Sequence, residues 1–317
     1  MVVARNRLIT KRIEQFPDSS SAAIDFKCEA LDVNAITSDS VWRVSREVRV
    51  NSRRIETLFA GAGLFDQICD NREALFPAPP FINALSTRFS AGNEFARVSV
   101  DPLLQFDKDD AFSIVGRMKF ASFVGNQTLV SSVDPGATAR GLEVLQPANT
   151  RKIRFNLIAN VAVTDLLIVE TTSPVLTLDK WHSVICTTNG NGLGSGMTIY
   201  IDGLSVPLTI SFAGPLVGST ISTQDFFIGS RPAIINNMNG NLDEIAVMGF
   251  ELTAADALEI HNVGVDRDLT ERTFADPNAW WSMGDGSTFN IINDVIGTLD
   301  ATMVNMNEND FELDVSP

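Results

Sequence analysis

The chain has 317 residues, 44% of them hydrophobic and 20% charged, and a net charge of −15. That length supports a sizeable core in one large domain or two unequal ones, while no apolar run approaches the ~18 residues that span a bilayer. Residues 1–84 are net zero, so the whole −15 lies beyond them and −9 of it falls in residues 266–317, a balance that repels nucleic acid phosphates and anionic lipid.

The opening MVVARNRLITKR lacks the roughly 7–15-residue apolar stretch of a secretory signal. Three cysteines, Cys28, Cys69 and Cys186, form an odd set with no CxxC spacing. That fits free, buried thiols in a protein made in a cytoplasm. No membrane insertion is expected. Most of the twenty Phe are expected in the core.

From Ser38 the chain reads SDSVWRVSREVRVNSRRIETLFAGAGLFDQICDNREALF. Trp42, Val44, Val48 and Val50 alternate with Arg43, Ser45 and Arg49, which predicts strands paired about a turn near Asn51-Ser52. Three prolines within Leu75–Phe81 cannot continue a helix or sit in a central strand. The expected division is therefore a module at 1–76, a linker at 77–81 and a larger domain at 82–317.

The larger domain opens with expected strands at 86–89, 95–100 and 111–120, the last with Phe112, Ile114 and Gly116 alternating against Ser113, Val115 and Arg117. Further strands are expected at 129–133, 141–145, 152–158 and 181–187, with Trp181 packed between two sheets. Asn189–Gly196 reads as a glycine-rich hairpin loop, not a phosphate cradle, because a strand and not a helix follows it. Met197–Ile201 is a strand closed by Asp202-Gly203, a dipeptide that takes the positive φ of a tight hairpin. Strands at 226–229 and 242–248 and a helix at 253–260, capped by Thr253, complete the pattern.

The order WHSV, IYIDG, FFIGS and GNLDEIAVMGFELTAADALEI between Trp181 and Ile260 resembles the laminin-G-like (concanavalin A-like) jelly roll. The expected fold is therefore all-β: a small N-terminal antiparallel module followed by a jelly-roll β-sandwich. The 38–75 stretch resembles a module of tailed-bacteriophage virion proteins, through Trp42, Val44, Ala60, Gly61, Gly63, Phe65, Asp70, Arg72 and Leu75, with Cys69 where that pattern has Trp. The ending NAWWSMGDGSTFNIINDVIGTLDATMVNMNENDFELDVSP resembles the closing segment that follows such sandwiches in phage structural proteins. Together these resemblances imply a virion structural protein assembled in the host cytoplasm. Its first part, including Trp42, Arg43, Asp70 and Arg72, would attach to other capsid or tail proteins, and the particle's symmetry implies a homo-oligomer.

Jelly-roll glucanases carry Glu-x-Asp-x-x-Glu on one strand, so that alternate acids meet the sugar from one side. That motif is absent here, and neither His182 nor His261 lies near a GxSxG elbow. No zinc spacing is present. An enzyme is not expected, and no cofactor is implied except calcium, for which the resemblance offers Asp134, Asp202 and Asp243 as candidate ligands. For a host-surface glycan the candidates are Trp280 and Trp281, the one adjacent Trp pair. The functional readings left open are a capsid or tail decoration protein, a host-glycan-binding fibre adhesin and a glycan-cleaving enzyme. They rank in that order, because fold alone assigns no activity.

Overall fold

The computed structural model describes four strands of the first part, at residues 7–10, 27–30, 44–50 and 53–59, and then residues 83–314 apart from 91, 234, 263–268 and 270–272. The chain forms two compact units, Met1–Pro80 and Phe81–Pro317. In the first, β1 (Arg7–Thr10) pairs antiparallel with β2 (Lys27–Ala30), and β3 (Val44–Val50) with β4 (Arg53–Phe59). Val50 faces Arg53 across a two-residue connection, the pairing that the valine alternation predicts. Trp42, Arg43, Cys69, Asp70, Arg72 and the proline-rich stretch 77–81 lie outside the described residues.

The second unit is nearly all β. Its elements are β5 (Ser86–Ser90), β6 (Phe95–Val98), β7 (Ala111–Phe120), β8 (Gln127–Ser131), β9 (Gly141–Gln146), β10 (Arg154–Asn160) and β11 (Asp165–Thr171). There follow β12 (Trp181–Asn189), β13 (Met197–Ile201), β14 (Leu204–Ser205), β15 (Leu208–Phe212), β16 (Phe226–Ile228), β17 (Asn239–Met248) and, among the described residues, one α-helix, α1 (Ala254–Asn262). The chain closes through β18 (Ala279–Trp281), β19 (Ile291–Ile292), β20 (Ala301–Val304) and β21 (Phe311–Glu312). All pairings are antiparallel. One sheet has nine strands in the order β15-β11-β10-β9-β8-β16-β6-β20-β19, and the other has eight in the order β14-β13-β12-β7-β17-β5-β21.

The main core lies between the two sheets, where period-2 alternation sends one set of side chains inward. Phe112, Ile114, Met118 and Phe120 of β7 meet Val144 of β9, Phe155 and Leu157 of β10 and Phe226 of β16 there. Residues on the opposite face of the eight-stranded sheet are buried too, because α1 covers them: Val115, Ile185, Tyr200, Ala246 and Met248 pack against Ala257 and Ile260. Thr253 starts that helix as predicted, in a reciprocal cap: its hydroxyl accepts from Asp256 N–H at 3.3 Å and its own N–H donates to the Asp256 carboxylate at 2.7 Å.

The central strand β17 carries a bulge. Asp243 faces Arg117 and Ala246 faces Val115, so Glu244 and Ile245 together oppose the single residue Gly116. Glu244 takes φ +51°, and a Cβ on Gly116 would lie 2.7 Å from Ile245 Cδ1, so a larger residue there would displace the end of that side chain. β5 pairs with β17 along Asn239–Leu242, and β18 takes over that side along Ile245–Val247.

Trp181 departs from expectation. It is half-buried and outside the core between the sheets; its indole N–H donates to Asp314 at 3.2 Å and Lys119 sits 5.9 Å from its ring. The main core takes Val184 and Cys186 from β12 instead. Cys186 is a free, buried thiol whose pKa burial pushes up. Among the described residues no helix is long and apolar enough to cross a membrane.

Candidate functional site

The nine-stranded sheet presents its second face away from the main core, and strand alternation decides what stands there. On β9, Leu142 and Val144 point into the core, which turns Glu143 outward; on β10, Phe155 and Leu157 do the same for Asn156. Glu143 and Asn156 are direct cross-strand partners. Asn156 Nδ2 donates to Glu143 Oε2 at 3.2 Å, and the Thr128 hydroxyl from β8 donates to Glu143 Oε1, also at 3.2 Å.

This cluster is sunk into the protein: Glu143 is 2% exposed and Asn156 6%. Burial pushes the Glu143 carboxyl above its ordinary range, against the opposing pull of Arg231, the Asn156 and Thr128 hydrogen bonds, and Arg154. The side-chain carbonyl of Asn156 has no hydrogen-bond partner, a cost of about 1–3 kcal/mol unless something supplies a donor. Arg231 stands in the loop after β16, which is pinned to this sheet by the Thr128 N–H to Asn236 carbonyl bond of 2.7 Å. Beside the cluster, Arg154 and Lys152 hold Glu170 at 2.7 and 3.2 Å. A protonatable carboxyl, an amide whose buried carbonyl lacks a partner, and a hydroxyl thus share one stretch of sheet, with a guanidinium nearby. Such a set can exchange hydrogen bonds with a polyhydroxylated ligand.

The sequence-predicted candidates fall elsewhere. Trp280 and Trp281 do point to opposite faces, as adjacent strand residues must, but both are fully buried. Trp281 lies in the main core, stacked on Phe226 with centroids 5.8 Å apart, and Trp280 lies under α1. Neither presents a face on which a sugar could stack, because the helix covers the side that alternation alone would leave open.

Asp134, Asp202 and Asp243 are not brought together. Asp134 accepts from Ser222 Oγ at 2.9 Å and pairs with Arg140 at 3.4 Å. Asp243 is buried in β17 and accepts from Asn83 Nδ2 at 3.1 Å. Asp202 occupies the β13–β14 hairpin, where it and Gly203 take φ +50° and +78° as the Asp-Gly pair predicts. Among the described residues no group of three or more His, Cys, Asp or Glu side chains is placed to hold a metal ion.

Asp202 has a partner that the spacing concealed. His182 Nδ1 lies 2.9 Å from Asp202 Oδ2, and His182 Nε2 accepts the Thr177 N–H at 3.0 Å. The imidazole proton therefore belongs on Nδ1, with both ring nitrogens satisfied. Ser183 N–H also donates to Asp202, at 3.0 Å. This pair locks the hairpin to β12 and is structural.

No sequence motif marks Glu143, Asn156, Thr128 or Arg231. The available signal was a polar residue at the centre of an apolar strand, Glu143 in GLEVL and Asn156 in RFNLI, where burial demands a partner.

Comparison with known proteins sets this architecture in context. A candidate carbohydrate binding protein from Bacteroides ovatus is similar at 15% identity and TM-score 0.50, over 71% of this chain. The chain spans 59% of that protein's length. The heptameric SAP-like pentraxin from Limulus polyphemus is similar at 13% identity and TM-score 0.44, over 60% of this chain and 87% of that one. The CBM40 of the Ruminococcus gnavus IT-sialidase is similar at 12% identity and TM-score 0.42, over 56% of this chain and 97% of that one. No curated protein matches the chain. Residues 92–257, just over half of the sequence, match the laminin-G family model described as concanavalin A-like lectin/glucanases superfamily. With the two-sheet sandwich, that match establishes that the chain belongs to the concanavalin A-like lectin/glucanases superfamily.

Proposed function

We propose that residues 81–317 are a non-enzymatic glycan-binding module, and that residues 1–80 attach it to other proteins of a tailed-phage virion. The observation that carries the binding reading is the buried Glu143–Asn156–Thr128 cluster, with the unpartnered carbonyl of Asn156 and the adjacent Arg231. The carbonyl oxygen is buried in the free chain, so binding would need the cover over it to open; vicinal hydroxyls of a sugar would then donate to that carbonyl and accept from the guanidinium. The carbohydrate binding ascribed to the Bacteroides ovatus protein supports the same reading.

Hydrolysis has less support. It needs two carboxyl groups flanking the scissile bond, and the positions two residues either side of Glu143, which share its face of β9, are Gly141 and Leu145. The other acid beside the cluster, Glu170, is neutralised by Arg154 and Lys152. The virion assignment is supported by the resemblance of residues 38–75 and 278–317 to phage structural proteins.

A glycan array probed with the full chain tests the binding reading. Retention of one or more glycans, weakened about 3- to 10-fold by Asn156→Ala as expected for one lost neutral hydrogen bond, supports it. Absence of any retained glycan overturns it.

A further inference from the structure

The outer face of the eight-stranded sheet is covered in two pieces of different kind. Under α1 the covered side chains are apolar, Val115, Ile185, Tyr200, Ala246 and Met248, and burying such a face is favourable in itself. Further along the same face, one cross-strand row is polar: Trp181 of β12 faces Lys119 of β7, Lys119 faces Asn241 of β17, and Asn241 faces Arg88 of β5. Its cover is the end of the chain. Asp310 and Glu312 each reach Arg88 at 3.1 Å, Glu312 also accepts from Asn241 Nδ2 at 3.0 Å, and Asp314 pairs with Lys119 and accepts from the Trp181 indole N–H.

Charged and amide side chains can face water on their own, and the cover over these is lightly held. β21 gives two residues of pairing to β5, the Ser86 hydroxyl donates to the Asp314 carbonyl at 2.6 Å, and Leu313 between the two acids is 83% exposed. The side chains of Arg88 and Asp314 are 44% and 41% exposed, and ion pairs so open to solvent contribute little. The firm anchor lies just before this strap: Asp310 is buried and closes a capping box with Asn307, and Phe311 packs against the main core. Release of Glu312–Asp314 would bare Lys119 and Asn241 beside Trp181, the one described tryptophan that is not fully buried. The bared row would carry two cations, Arg88 and Lys119, against the single acid Asp310, on a chain of net charge −15.

We propose that the row Trp181–Lys119–Asn241–Arg88 binds a carboxylated sugar, and that Glu312 and Asp314 close the site as internal stand-ins for its carboxylate. The sugar ring would lie on the Trp181 indole, a flat apolar body with a polar edge. Its carboxylate would take the Lys119 ammonium and the Asn241 amide N–H that the two acids now occupy. An acidic peptide would match the cations, but the indole beside them favours a ring that stacks. The row lies on the other sheet from Glu143 and does not depend on binding there.

The test is isothermal titration of trigalacturonate and sialyllactose, with galactotriose and lactose as neutral counterparts, into the full chain and its Glu312→Gln/Asp314→Asn variant. One of the acidic sugars should bind the double variant at least about 3-fold tighter than wild type, because the strap no longer holds the competent state to a fraction of the population. Its neutral counterpart should not bind, and Trp181→Ala added to the double variant should weaken binding about 3- to 10-fold. Equal affinity of wild type and double variant, equal binding of the neutral counterpart, or unchanged affinity in a folded Trp181→Ala overturns the proposal. So does binding of neither acidic sugar, whether or not a DFELD peptide binds in their place. Should the double variant misfold, Asp314→Asn alone carries the comparison; should Trp181→Ala misfold, Lys119→Ala does. Arg231→Ala, on the other sheet, should leave this binding unchanged, and a loss there would place the sugar at Glu143 and overturn this site alone.

Discussion

The indole N–H of Trp280 donates to the carboxylate of Glu244 across 2.6 Å; both residues are buried, and Trp280 packs in the cluster beneath α1. The bulge in β17 makes this contact available. Its extra residue, at φ +51°, is Glu244, and β18 sets Trp280 beside it opposite Ala246. Glu244→Ala leaves the indole N–H without this acceptor and should cost about 1–3 kcal/mol. Trp280→Phe should cost a similar amount, and the double variant less than the sum. Urea unfolding of the three variants, followed by far-UV circular dichroism, measures the coupling.

Asp202 gives the hairpin an acid-sensitive component. Burial pushes its carboxyl up, but the His182 hydrogen bond and the Ser183 N–H outweigh burial and hold it below the ordinary carboxylate range. A carboxyl depressed in the folded state contributes stability above its unfolded pKa of about 3.9, and that contribution fades as pH falls through the folded value. Asp202→Asn should therefore melt lower than wild type at pH 7, with the gap closing below about pH 4. Melting curves from pH 7 to pH 3 test this, and a gap independent of pH would contradict it.

Glu143 has the opposite sign. Its carboxyl is raised by burial, so its folded-state stability is greatest below the unfolded pKa of about 4.3 and declines as pH rises toward the folded value. Glu143→Gln removes that penalty at neutral pH and offers the Asn156 carbonyl a donor. The variant should melt a few degrees higher at pH 7, at about 2–4 °C per kcal/mol for a unit of this size, while binding glycan more weakly. Calorimetry beside the glycan array reads both.

Gly240 is held by its backbone. It takes φ +144°, and an added Cβ would lie 2.0 Å from the Lys119 carbonyl oxygen on the adjacent β7. Gly240→Ala should lose about 1–3 kcal/mol to backbone strain alone. Gly92→Ala, where a Cβ would meet nothing within 4 Å, should stay within about 0.5 kcal/mol of wild type. Thermal melting of the two variants separates these cases.

The sandwich was legible wherever a local rule governed it. Alternation in 111–120 gave β7, Asp202-Gly203 gave its hairpin, and Thr253 gave the start of α1. β11 shows no clean period of two in DLLIVET, because Leu166 and Ile168, on the face away from the main core, are apolar as well. β15 carries no alternation a sequence pattern could show: only Leu208 packs against the main core, and the other four residues are exposed. The tryptophans show a different limit. Alternation placed Trp280 and Trp281 on opposite faces, but only tertiary structure reveals that α1 covers the outer one. The Glu143–Asn156 pair was hidden for a related reason: cross-strand partners thirteen residues apart leave no spacing motif.

Glycan binding at Glu143, Asn156 and Arg231 is tested by isothermal titration of an array-selected glycan into the wild type, Asn156→Ala and Arg231→Ala, with melting points recorded in parallel. Wild-type binding should be saturable, weakened about 3- to 10-fold by Asn156→Ala and at least about 10-fold by Arg231→Ala, as suits a charged hydrogen bond of about 1.5–3 kcal/mol. Both variants should remain folded. Glycan binding that survives unchanged in both folded variants would contradict this placement.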